Sequence, residues 1–164
     1  MIELDNKQKA EFWHRSYAAV DGLWFMKVEE KYGFDKALDV DNEVWKVLPK
    51  IQARALKAMG GAGDGMKGLF ECITTKLQLE GFEFGAEKDA DGAGFRITIG
   101  RCPWHDLMVG SGREELSGRV GSLICDTEYS TWCGEFGDDI RFEPGERICG
   151  GAGSCVLSFL SRSF

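Results

Sequence analysis

Apolar residues recur every three or four positions through the first half of the chain, and every second position later. From Lys7 to Tyr32, the residues Trp13, Tyr17, Val20, Trp24 and Val28 fall on one stripe, which predicts an amphipathic helix stopped by Gly33. Val44, Val47, Leu48, Ile51, Ala55 and Met59 predict a second helix over 41–59, capped by Asp41 or Asn42 and kinked or divided at Pro49. The run Gly60-Gly61-Ala62-Gly63-Asp64-Gly65 must interrupt it. A third helix, over 66–80, turns Leu69, Phe70, Ile73 and Leu77 inward.

The period then changes to two. Phe82 and Phe84 flank Glu83, and Phe95, Ile97 and Ile99 alternate with Arg96 and Thr98, as half-buried strands require. The segment from Asp89 through Asp91 and Gly92 to Gly94 predicts a hairpin turn between them. A long helix over 113–135 and two strands, around 140–142 and 155–160, complete the chain. This order predicts an α+β fold: N-terminal helices packed on a four-stranded antiparallel sheet, with one long helix between the two hairpins. A single domain over 1–164 is expected, with a helical half to residue 80 and a strand-helix-strand half from 81.

Composition narrows the function. The 164 residues carry a formal net charge of −7, with Lys and Arg scattered among acids, which argues against nucleic acid and anionic membranes as partners. No apolar run approaches the roughly 20 residues of a membrane span, and the first residues lack the pattern of a signal peptide. A cytoplasmic protein acting on a metal or a small molecule is the expectation.

Six cysteines carry the candidate chemistry. Cys102 and His105 are three positions apart across Pro103, so a turn lets both reach one ion. On the 113–135 helix, Gly121, Cys125, Glu128 and Trp132 oppose Leu116, Val120, Leu123 and Thr127, which predicts a sandwiched helix with Cys125 and Glu128 facing the interior. Cys133 stands about 12 Å further along and is left outside the site. Cys149 and Cys155 bracket Gly150, Gly151, Ala152 and Gly153, and glycines there let backbone approach a ligand. The metal-ligand candidates are Cys102, Cys125, Cys149, Cys155 and His105, and thiolates favour zinc or an iron–sulfur cluster over calcium or magnesium. In the first helix Asp21 lies about 60° off the apolar stripe, where it can bond another helix, with Arg54 as the candidate partner, or orient a ligand. The Gly60–Gly65 run comes after a helix rather than a strand and ends without Gly-Lys-Ser/Thr, so it reads as an interhelical turn and not a phosphate loop.

Two stretches resemble known families. The run from Ala19 through Asp21, Gly22, Trp24 and Phe25 to Glu29, with Ile51-Gln52-Ala53-Arg54, resembles a family of small uncharacterised proteins of anaerobic bacteria and archaea. That resemblance covers most of the chain and transfers no activity; the cofactor-binding candidates remain Asp21, Trp24 and Arg54, with Gly150 and Gly151. Cys102-Pro103-Trp104, Cys125-Asp126, Arg147, Gly150-Gly151 and Cys155 resemble the L-2-amino-thiazoline-4-carboxylate hydrolase-like group. That likeness implies thiazoline-ring hydrolysis with a cysteine nucleophile. More distantly, the hairpin with a late cysteine is similar to ligand-binding domains of the 4-vinyl-reductase type.

The cysteines admit three readings. In the first, a cysteine-lined site binds zinc, an iron–sulfur cluster or a small ligand. In the second, Cys125 is a nucleophile with Glu128 or His105 as its base, although Asp126 beside it opposes a thiolate. In the third, the cysteines only pack.

Overall fold

The computed structural model describes residues 1–90 and 92–161, so Asp91 of the expected hairpin turn lies outside the described residues. The chain has six α-helices and four strands among those residues: α1 (Asn6–Tyr32), α2 (Phe34–Trp45), α3 (Leu48–Gly60), α4 (Gly65–Leu79), β1 (Glu83–Lys88), β2 (Gly94–Arg101), α5 (Pro103–Gly110), α6 (Glu114–Gly134), β3 (Ile140–Pro144) and β4 (Cys155–Ser161). It is an α+β fold with one antiparallel sheet, as the two periodicities predicted.

Two compact units divide the chain, Met1–Glu43 and Val44–Phe164. The first holds α1 and most of α2. The α1 helix is closed at its start by a reciprocal box, in which the Asp5 carboxylate accepts the Gln8 amide at 2.8 Å and Gln8 Oε1 accepts the Asp5 amide at 3.0 Å. Gly33 ends it at φ 86°, a backbone value suited to glycine. The chain then re-enters a helix at Phe34, so Asp41 and Asn42 lie inside α2 instead of capping the helix expected at 41. The break falls at 46–47, and Pro49 stands in the first turn of α3, where its missing amide costs nothing.

The second unit is built around the sheet, in the order β1-β2-β4-β3. Phe95, Ile97 and Ile99 of β2 and Leu157 and Phe159 of β4 are buried, while Arg96 and Thr98 face out. Leu69, Ile73 and Leu77 of α4 and Tyr129, Trp132 and Cys133 of α6 complete the core. Phe95 stacks on Phe159 at 4.6 Å between ring centres, and Phe70 meets Phe95 edge-on at 5.1 Å. The two hairpins join through β2 and β4, with Phe95 opposite Phe159, Ile97 opposite Leu157 and Ile99 opposite Cys155. That last pair matters for the site. It fixes Cys155 at the end of the sheet where β2 runs out toward Cys102.

Candidate functional site

Cys102 stands between β2 and α5 as the N-cap of the helix, Cys155 opens β4, and Cys149 sits in a single 3-10 turn, Ile148–Gly150, that precedes it. With His105 these three cysteines line one small cavity of about 70 Å³, walled also by Trp104, Met108, Val120 and Ile148. Its lining is almost entirely apolar apart from the sulfurs, the imidazole and the Ser117 hydroxyl. Within it, His105 Nδ1 is buried with no hydrogen-bond partner among the described residues.

The loop carrying Cys149 is held to α6 by two hydrogen bonds and a close packing contact. Arg147 Nη1 donates to the Gly121 carbonyl at 2.8 Å, and Arg147 Nη2 donates to the Asp126 carboxylate. Gly118 and Gly121 leave room for the loop to press on the helix, because a Cβ on Gly121 would stand 2.7 Å from Cys149 Sγ. The Ile148 amide donates to Cys155 Sγ at 3.2 Å. Amide-to-sulfur bonds of this kind tune the sulfur's donor strength.

All the shifted thiols of this cluster are pushed toward their neutral forms. Burial raises Cys102 to about 11, against the pull of the His105 and Trp104 amides. Burial raises Cys149 too, and Cys155 adds to it while Arg147 opposes. Cys125 is raised furthest, by burial, then Glu128 and Cys102, with Arg147 again opposing. Cys125 therefore stays within electrostatic reach of Cys102 and Cys149 but is not among the cavity-lining residues. A protonated thiol mid-helix beside an acid is a poor nucleophile.

Glu128 faces inward, as the helix phase predicted, but its partner is a cation. Its carboxylate lies 2.5 Å from Lys76 Nζ, and Lys76 also meets Glu80 at 2.9 Å; all three side chains are buried. Trp104 Nε1 and Gln52 Nε2 each approach Glu80 at 3.4 Å, so Trp104 touches both the charged triad and the cavity. Burial opposes the Lys76 charge, yet Glu128 and Glu80 more than restore it and hold it protonated. Burial raises Glu128, Lys76 lowers it, Glu80 raises it further, and the net direction is upward. Sequence reasoning missed Lys76 and Glu80. The signal was present: both fall on the Leu69–Ile73 stripe of α4, where a surface helix would place only apolar side chains.

The remaining candidates lie elsewhere. Arg54 is taken by Glu135 in a bidentate pair at 2.7 and 2.9 Å, a partner the spacing did not suggest. Gly150 and Gly151 are exposed and shape the turn rather than line the cavity. Asp21 and Trp24 belong to the first unit, where Trp24 borders a groove with Val28, Tyr32 and Val40. Cys133 and Cys72 pack in the core. Among the described residues, no three His, Cys, Asp or Glu side chains are grouped so that they could hold a metal ion as they stand. No helix among them is long and apolar enough to cross a membrane.

Residues 7–98 match the sequence profile of a family of unknown function, DUF6125. No curated protein and no solved structure matches the chain. The matched stretch ends before Cys102, so it carries nothing to the cysteine cavity and nothing toward the thiazoline-hydrolase likeness.

Proposed function

This chain belongs to the DUF6125 family of unknown function, and we propose that it binds a small thiophilic ligand, a zinc ion first among them, between Cys102, Cys149, Cys155 and His105. One observation carries the reading: donors from three separate stretches of chain line one cavity. Sulfur and imidazole donors select soft or borderline ions. A space of about 70 Å³ is some two water volumes, which suits one ion better than a cluster of several irons and sulfides. Binding must displace thiol protons, so affinity rises with pH. Arg147 beside Cys149 and the two amides beside Cys102 oppose the effect of burial in part. Because no three donors are grouped in advance among the described residues, ligation requires rotation about χ1 at the cysteines, and the glycines after Cys149 give its backbone latitude.

The test is anaerobic purification, then metal and sulfide analysis and titration of the metal-free protein with cobalt(II). Stoichiometric zinc, or a cobalt complex with thiolate charge-transfer absorption that Cys149→Ser and Cys155→Ser abolish, is expected. Cobalt uptake unaffected by those substitutions, or no uptake of zinc or cobalt, would sink the proposal. A metal-free protein with one fast-alkylating cysteine would instead point to a cysteine-dependent hydrolase. That reading has less support, since Glu128, one of its two candidate bases, is already paired with Lys76, and burial pushes the Cys125 thiol up.

A further inference from the structure

The α1 helix spans 27 residues and buries none of them. At 100° per residue, Phe12, Trp13, Ser16, Ala19, Val20, Leu23 and Trp24 share one sector of about 140°. The half-buried positions Tyr17, Asp21, Phe25 and Val28 fill the adjoining sector, and Ser16 within the seam is half-buried as well. The sector is open to solvent, with exposures of 57% at Phe12, 69% at Trp13, 67% at Val20, 57% at Leu23 and 60% at Trp24. Between Phe12 and Trp24 its single polar member, Ser16, spends its hydroxyl on the Phe12 carbonyl at 2.8 Å. The seam is therefore apolar and contiguous. Helices draw most of their stability from packing an apolar face, and within the first unit this one has a second face with nothing on it.

We propose that this face pairs with the same face of a second copy of the chain, antiparallel, about a two-fold axis near residue 18. Such an axis sets Phe12 and Trp13 of each copy against Leu23 and Trp24 of the other. Ser16 and Ala19, the small residues, fall at the centre and let the helices approach closely. A two-fold contact demands a self-complementary patch, and a seam with large side chains at both ends and small ones between has that form. The exposed fractions correspond to roughly 500–600 Å² of apolar side chain per copy, or about 1,100 Å² for a pair, above the ~1,000 Å² a specific interface needs. The chain carries −7, but α1 holds five Lys or Arg (Lys7, Lys9, Arg15, Lys27, Lys31) against four Asp or Glu (Glu11, Asp21, Glu29, Glu30), so the excess negative charge does not lie on this helix. The axis sets Lys9 of one copy toward Lys27 of the other. Lys27 is neutralised within the helix by Glu30 at 2.8 Å, and Arg15 by Glu11 at 2.6 Å.

Sedimentation of the full chain at high micromolar concentration is expected to show a dimer. Val20→Glu and Val20→Lys should each give monomers with unchanged helical circular dichroism, and mixing the two should restore a dimer, because the axis brings the two copies of position 20 within about 6 Å along the helices. A wild-type monomer, a dimer that survives either substitution, or a mixture that stays monomeric would overturn the proposal. Should either variant lose helicity, Trp13→Gln with Trp24→Gln replaces it, with monomer expected and persistence of the dimer decisive against.

Discussion

Cys149 Sγ lies 2.7 Å from the point where a side chain on Gly121 would begin. That separation is too short for any real Cβ, so the thiol loop and α6 can touch only because position 121 is empty. The relationship links a helix whose phase is readable from sequence to a loop whose position is not.

Gly121→Ala should therefore push the Cys149 loop off α6. A loss of about 1–3 kcal/mol in urea unfolding is expected from the overpacking, together with weaker cobalt binding. Gly118→Ala, where a Cβ would meet the Cys149 carbonyl oxygen at 3.0 Å, should do less. Equal, negligible losses in both variants would show that the loop has no fixed seat on the helix.

Arg147 acts through its neighbours, Asp126 and the Gly121 carbonyl. Arg147→Ala should leave the sheet intact, speed proteolysis within residues 145–155, and lower cobalt affinity by about 10–100-fold, the usual cost of losing a group that orients ligands. An unchanged cobalt isotherm would remove Arg147 from the site.

The buried triad predicts an asymmetry. Lys76→Met leaves Glu80 and Glu128 buried without their cation and should cost about 3–5 kcal/mol, whereas replacing the triad together by apolar residues should recover much of that loss. Chemical denaturation of the single and combined variants measures both. A single substitution costing no more than an exposed one would mean that water reaches the triad.

The same triad sets a pH dependence. Glu128 is raised above its ordinary value of 4.5 by burial, with Lys76 opposing and Glu80 adding to it. The folded chain thus holds this proton more tightly than the unfolded one. Its contribution is full below the ordinary value and is lost as pH rises through the folded value. Glu128→Gln should flatten that decline in unfolding curves taken across the range. A decline of the same slope in the variant would assign it to another group.

Thiol chemistry extends this trend to alkaline pH. Cys102 is raised by burial to about 11 and Cys133 to about 12, against an ordinary 9.0. Their folded-state protons are also bound more tightly, so stability should fall as pH climbs above 9. Alkylation of Cys102, read out by peptide mapping, should still be accelerating beyond that point. A rate that levels off near pH 9 would show that the thiol is not desolvated.

The chain's own pattern was enough to place the helices α1, α4 and α6 and the alternation in β2, because period and caps are local properties of neighbouring residues. It also pointed Glu128 inward and kept Cys133 out of the site, since both conclusions rest on helical phase and rise. It did not reveal that the chain re-enters a helix at Phe34, because a glycine stop ends one helix without specifying the next element. Nor did it identify Glu135 as the partner of Arg54, because that pair spans 81 positions of sequence. Above all, the meeting of Cys102, Cys149 and Cys155 was an expectation from residue type alone, and it rests on the antiparallel register of β2 with β4, which places Ile99 opposite Cys155. Register depends on how whole strands bury their faces against one another, so no short stretch of sequence contains it. The sequence determined which residues were capable of the chemistry, and the tertiary structure decided which of them share a space.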